Sequence, residues 1–199
     1  DYRGYQLQDI ALAGDGEPTS EKQLPQVLEL LLSLKQEFRL SETVKIVLFS
    51  NGSGIDRKDL QPLYPRFFAA GGEVWFKLDY WDQQSLVELN RTRLKFDDLM
   101  AKLTWFSQQY PVVLQSCFFQ WRGQSFSALL YQPYAELVKR LIDGGGKVQK
   151  IQAYTLARKP AEADALPWSN AEMDQIAGLL RSSCEVPVEL FYETGVEQD

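Results

Sequence analysis

Short apolar runs alternate along the chain with longer stretches whose apolar residues recur at helical spacing. Residues 8–13 read as a short buried strand. From Ser20 the period changes: Leu24, Val27, Leu28, Leu31, Leu34 and Phe38 fall on one helical face. Ser20 and Gln23 stand at capping-box spacing and mark the start of that helix. Residues 44–50 form a second β-branched run, ending in the loop Asn51-Gly52-Ser53-Gly54. A helix is expected over about 57–70, stopped at Gly71-Gly72. Residues 73–79 read as a third strand. Helices from Gln83 and over about 96–109 follow, separated by Asn90-Arg91-Thr92-Arg93. Residues 112–119 and 148–155 read as the fourth and fifth strands, with a helix over about 133–142 between them. After a loop rich in Ala and Pro, Ser169 and Glu172 form a second capping box, opening a helix to about Arg181. A last short strand spans about 186–192, and residues 195–199 read as frayed.

Strand and helix alternate from end to end. That pattern implies an α/β domain: a parallel sheet with helices outside it, joined by right-handed crossovers. No internal repeat or low-complexity segment interrupts it, so residues 1–199 read as one domain.

The composition narrows the chemistry. Apolar residues make up 45% of 199, enough for a sizeable core without disulfide staples. A net charge of −6 argues against a broad nucleic-acid footprint. The chain has no histidine, which removes every site built on imidazole, including a Ser-His-Asp triad and a His-ligated zinc. Its two cysteines, Cys117 and Cys184, are too few for a four-ligand structural zinc site. Cys117 reads as a small core residue and Cys184 as structural. With no membrane-spanning run, no signal peptide and no need for disulfides, a cytoplasmic setting is expected. The start at Asp1, without a Met, reads as that of a piece of something longer.

Candidate chemistry gathers at the strand ends. The first strand runs into Gly14-Asp15-Gly16-Glu17-Pro18, where two glycines leave room for a ligand and two carboxylates hold negative charge. In the third strand Val74, Phe76 and Leu78 share an apolar face, and Trp75, Lys77 and Asp79 share the other. That second face is either a mutual ion pair inside a barrel or a lumen that meets a charged ligand. Ser50 and Asn51 end the second strand, and Gln115 lies in the fourth. Lys150, Gln152 and Tyr154 share one face of the fifth. In a barrel these carboxyl ends converge on one mouth.

These runs, taken in order, resemble the radical S-adenosylmethionine superfamily. Gly14-Asp15-Gly16-Glu17-Pro18-Thr19 resembles its GGEP-type motif, and Leu48-Phe49-Ser50-Asn51-Gly52 resembles its third strand. Lys77-Leu78-Asp79 resembles its fourth. Asn90-Arg91 and residues 151–160 are similar to segments of the wyosine-synthase-like subgroup. The resemblance spans nearly the whole chain and rests on the ordered set.

It implies a partial (β/α)6 TIM-type barrel with a parallel sheet, lacking the first β/α unit, that binds S-adenosylmethionine across its mouth. By position, Gly14, Asp15, Gly16 and Glu17 would meet the ammonium of the methionine moiety. Ser50, Asn51, Lys77 and Asp79 would meet its carboxylate or ribose, and Gln115 would lie near the adenosyl group. Asn90, Arg91, Gln152, Tyr154 and Arg158 would face the substrate. The subgroup points to tRNA as a partner, and the full-length parent would need an electron donor.

The departure is as informative. The family holds a [4Fe–4S] cluster on CxxxCxxC, and this sequence has no such motif. The cluster would belong to the parent only, and the present chain alone is expected to be inactive. Its first strand is then expected to expose an edge. Two other readings stay open. One is a phosphate-binding α/β barrel enzyme, with Glu17 and Asp79 in acid/base roles and the 51–54 loop holding phosphate through backbone N–H groups. The other is a non-catalytic interaction scaffold.

Overall fold

Six strands form one parallel sheet, and their order across the sheet is their order along the chain. The structure is a computed structural model and describes residues 4, 6–13, 16–157 and 162–192. In chain order the elements begin with β1 (Asp9–Leu12), α1 (Leu24–Glu37), β2 (Lys45–Ser50), α2 (Tyr64–Ala69) and β3 (Gly72–Lys77). Next come α3 (Gln83–Asn90), α4 (Phe96–Gln109), β4 (Val112–Cys117) and β5 (Phe119–Trp121). The chain then runs through α5 (Gln132–Asp143), β6 (Val148–Tyr154), β7 (Ala165–Pro167), α6 (Asn170–Cys184) and β8 (Val188–Phe191). β5 and β7 stand apart from the main sheet as an antiparallel pair. No helix among the described residues is long and apolar enough to cross a membrane.

The strand order never reverses, so each right-handed crossover steps the same way and the helices gather on one face. The core lies there. Ile46, Leu48, Val74, Phe76, Leu114 and Ile151 are fully buried against residues such as Leu28 of α1, Phe67 of α2, Phe106 of α4, Val138 of α5 and Ile176 of α6. The opposite face has no such cover. Phe49, Trp75, Gln115 and Tyr154 are half-buried there, and Lys77 is exposed. Register sets a polar row across that face, because Lys77 pairs with Gln115 and Gln115 with Gln152.

Among the described residues β1 and β8 have one neighbour each, so the sheet is open and does not close into a barrel. The expected free edge on the first strand is present: β1 pairs with β2 alone.

Three local expectations need correction. The first helix does not start at a Ser20–Gln23 box. Glu17 instead caps a 3-10 turn over Pro18–Ser20, and α1 begins at Leu24, with Pro25 in its first turn where a missing N–H is tolerated. The buried face of α1 then runs through Leu24, Leu28, Leu32 and Lys35, leaving Phe38 exposed. The helix expected over 57–70 shrinks to Tyr64–Ala69. Pro62 and Pro65 explain this, since a proline inside a helix lacks the donor and clashes with the preceding turn. The loop rich in Ala and Pro contributes β7, and the last strand is a full member of the parallel sheet beside β6. The capping box of α6 is present, with Ser169 accepting the Glu172 amide and Glu172 accepting the Ser169 amide.

Candidate functional site

The loops leaving β1 and β2 are fastened to each other by one carboxylate. Glu17 Oε1 accepts the Thr19 amide at 3.0 Å, the Thr19 hydroxyl at 2.5 Å and the Ser50 hydroxyl at 2.7 Å. Oε2 accepts the Asn51 amide at 2.7 Å. Arg57 clamps the same region by donating to the carbonyls of Thr19 at 2.9 Å and Glu21 at 2.6 Å. Lys102, from α4, reaches the Ser53 carbonyl at 2.5 Å and pairs with Asp56. Charge-assisted bonds of this kind are short and stronger than neutral ones.

Every amide of the 51–54 loop is already used. Asn51 N–H donates to Glu17, Gly52 N–H to Ser50 Oγ, Ser53 N–H to Asn51 Oδ1, and Gly54 N–H to Thr19 Oγ1. A phosphate would have to break these bonds. The loop is therefore not a vacant anion nest.

Beside this fastener lies a mouth at the carboxyl ends of the strands. One cavity of about 480 Å³ has a polar end formed by Gly16, Glu17, Asn51, Lys77 and Asp79. Tyr80, leucines of α3, α4 and the segment between them, and the polar Asn90 and Thr92 complete its lining. A second cavity, of about 620 Å³, shares Gly16, Glu17 and Lys77 and extends over Ser50, Gln115 and Tyr154. A Cβ added at Gly16 would meet no atom within 4 Å, so the space beside its backbone belongs to the mouth.

Lys77 and Asp79 are not each other's ion pair, and Lys77 has no hydrogen-bond or ion-pair partner among the described residues. Asp79 Oδ1 accepts the Cys117 amide at 2.7 Å. Burial pushes the Asp79 carboxyl above the usual carboxylate range, against the opposing pull of that amide and of the Lys77 ammonium. Burial, then the nearby Asp79 charge, pushes the Cys117 thiol and the Tyr154 hydroxyl up as well.

The structure thus gathers Gly16, Glu17, Ser50, Asn51, Lys77, Asp79, Gln115 and Tyr154 around one mouth. Asn90 lines it from the end of α3, next to Arg91, which adopts a left-handed conformation and pairs with Glu162 at 2.5 Å. Gln152 is buried in the sheet beside Gln115 and reaches none of these cavities. Gly14, Asp15 and Arg158 lie outside the described residues. Cys117 is half-buried at the mouth, not in the core as expected from its sequence. Cys184 is buried and donates to the Ala135 carbonyl, a structural placement.

Sequence reasoning missed Thr19, Tyr80 and Trp121. Thr19 is fully buried and bridges Glu17 to Gly54. The Tyr80 hydroxyl and the Trp121 indole N–H are buried without a partner among the described residues. Only the position of Tyr80, one residue after Asp79, signalled it in advance.

No group of three or more His, Cys, Asp and Glu side chains among the described residues is placed to hold a metal ion. No family model matches the sequence, and no curated protein shows significant similarity to it. Among solved structures, the arginine decarboxylase of Paramecium bursaria Chlorella virus is similar with a TM-score of 0.44 at 14% identity. The similarity covers 92% of this chain and 50% of that one, so the chain spans about half the length of that protein.

Proposed function

We propose that the mouth binds S-adenosylmethionine and that the sheet is the wall of a partial barrel of the radical S-adenosylmethionine type. The observation that carries this reading is the pair Lys77 and Asp79. They place opposite charges on the same cavity, two residues apart, without neutralising each other. A zwitterionic amino acid offers the complementary pair: a carboxylate for the Lys77 ammonium and an ammonium or ribose hydroxyl for Asp79. Gly16 supplies open backbone beside them. The leucines that share the lining with Asn90 and Thr92 suit a flat heterocycle whose edge can form hydrogen bonds.

Glu17 takes a different part from the one its motif implies. Four donors already engage its carboxylate. Its role in this reading is to hold the exits of β1 and β2 in place, so that Gly16 and Asn51 face the ligand. Gln115 and Tyr154 line the far side, and Asn90 and Arg91 border the route by which a substrate would approach.

The residues present do not fit a [4Fe–4S] cluster. Such a cluster needs three thiolates from the protein, and the chain has two cysteines, one at the mouth and one buried behind α5. No reductive step follows from these residues; what they supply is binding and orientation.

Calorimetric titration of the chain with S-adenosylmethionine tests the reading. Saturable binding is expected, weakened about tenfold in Lys77→Met, which corresponds to roughly 1.4 kcal/mol. An absence of both heat and thermal stabilisation at millimolar S-adenosylmethionine would overturn it.

A further inference from the structure

Next to the mouth a smaller pocket has a different chemistry. It holds about 110 Å³ and lies between α3 and β5. Four aromatic side chains wall it: Trp81, Phe119, Trp121 and Tyr131. Two carboxylates reach it, Asp79 and Glu88, and none of its lining residues is a lysine or arginine. Neither carboxylate is in an ion pair among the described residues. Asp79, Cys117 and Trp121 also border a wider cavity of about 440 Å³, so the pocket opens toward the substrate side of the mouth.

The walls are fixed in advance. Trp81 meets Tyr131 edge to face at 6.1 Å, and Phe119 meets Trp121 in the same way at 6.1 Å. The Tyr131 hydroxyl donates to the Phe119 carbonyl at 3.0 Å and accepts the Trp168 indole N–H at 2.7 Å. Ser85 Oγ accepts the Trp81 amide at 3.0 Å. A ligand entering here therefore orders few side chains, which favours binding.

The Arg122 guanidinium already lies over the Trp121 ring at 5.2 Å, a cation held by this wall. The remaining aromatic surface, beside carboxylates outside any ion pair among the described residues, selects an organic cation with an alkyl coat. A bare metal ion is a poor occupant, because two carboxylates offer too few ligands and the other polar side chains of the lining, Ser85, Cys117 and Gln124, add no charge. The Trp121 indole N–H has no partner among the described residues, and an acceptor beside the cation would satisfy it.

We propose that this pocket holds the alkylammonium group, with an adjacent hydroxyl or carbonyl oxygen, of a second ligand at the mouth. The inference deepens the S-adenosylmethionine reading by naming the class of its co-ligand, and it rests on that reading only through Asp79, which both sites share.

Choline is a suitable probe, since it combines a trimethylammonium with a hydroxyl. Its uncharged isostere, 3,3-dimethyl-1-butanol, is the control. Titration of the full chain, followed by ligand-observed NMR, is expected to give saturable choline binding in roughly the millimolar range and isostere binding at least about tenfold weaker. Trp81→Leu and Glu88→Gln are each expected to weaken choline about threefold or more. Glu88 is exposed, so its variant keeps the fold even if the tryptophan variant does not. Because the two sites share Asp79 but little else, saturating S-adenosylmethionine is expected to weaken choline by no more than about threefold, without displacing it. Equal binding of the isostere, no saturation below about 0.1 M, or displacement of choline by S-adenosylmethionine would each overturn the inference. If choline binds as expected while S-adenosylmethionine does not bind at all, the reading of the mouth falls and this one stands.

Discussion

Glu17 Oε2 accepts the Asn51 amide at 2.7 Å, across 34 residues of chain. That single bond joins the exit of β1 to the exit of β2, and the other carboxylate oxygen joins both to Thr19 and Ser50. Removing the carboxylate strands four donors in a partly buried place. Glu17→Ala is expected to destabilise the fold by about 2–4 kcal/mol, read from urea unfolding. Glu17→Gln retains one acceptor oxygen and is expected to lose less. Added acetate should partly restore the melting temperature of the alanine variant, while leaving the wild type unmoved. A melting temperature of Glu17→Ala that matches the wild type would mean that the carboxylate is not the fastener.

Two glycines of the site make opposite demands. Gly52 has φ of +82°, and a Cβ there would lie 2.3 Å from the Phe76 ring. Gly52→Ala therefore combines left-handed backbone strain with a clash into a fully buried aromatic, and is expected to cost about 2 kcal/mol or more. Gly16 has open space around its Cβ direction. Gly16→Ala is expected to change stability by less than about 0.5 kcal/mol, yet to weaken whatever lies against that backbone. Unfolding curves for both variants, set beside the S-adenosylmethionine titration, separate a fold glycine from a site glycine.

The periodic parts of the chain were legible because their local signals agree with their burial. The bounds of α4 coincide with the expected 96–109, and Ser169 and Glu172 mark the start of α6 as read. Alternation in β3 placed Trp75 and Lys77 opposite Val74 and Phe76. The failures have identifiable causes. Pro62 and Pro65 overrode the apolar period of residues 57–70. Three-residue strands such as β5 and β7 carry too little period to be seen, and exist because they pair with each other. The site was legible as a set of strand ends but not as a circuit. That Glu17 would use its carboxylate on Asn51 and Ser50, and not on a ligand, depends on two loops meeting in space. The aromatic pocket was equally hidden, because Trp81 and Tyr131 come from parts of the chain separate from β5, which brings Phe119 and Trp121.

Asp79 sets a pH dependence with a definite sign. Burial raises its carboxyl pKa in the folded state above the ordinary value of about 4. Between the unfolded and folded values the native state binds the extra proton, so stability falls as pH rises through that window and the penalty persists above it. Asp79→Asn stays neutral and can still accept the Cys117 amide. It is expected to melt about 2–4 °C higher than the wild type at pH 7, with the difference closing toward pH 4. The same variant should bind S-adenosylmethionine more weakly, a trade of stability for function. A variant less stable than the wild type at pH 7 would place the ionised carboxylate among the stabilising groups instead.

Tyr131 holds the aromatic wall through its hydroxyl rather than its ring alone. The hydroxyl lies between the Phe119 carbonyl and the Trp168 indole N–H, and both Tyr131 and Trp168 are buried. Tyr131→Phe keeps the ring and its edge-on contacts with Trp81 and Phe118. It also leaves a buried indole donor and a carbonyl without their partner. The expected loss is about 1–3 kcal/mol, the usual range for stranding such groups. Because β5 is a three-residue strand anchored by this hydroxyl, the loss should be local as well as global. Hydrogen exchange is expected to quicken at the β5–β7 amides before it changes in β3 or β4. Uniform quickening across the sheet would assign the hydroxyl to the core at large, and unchanged exchange in β5 and β7 would remove it from the wall.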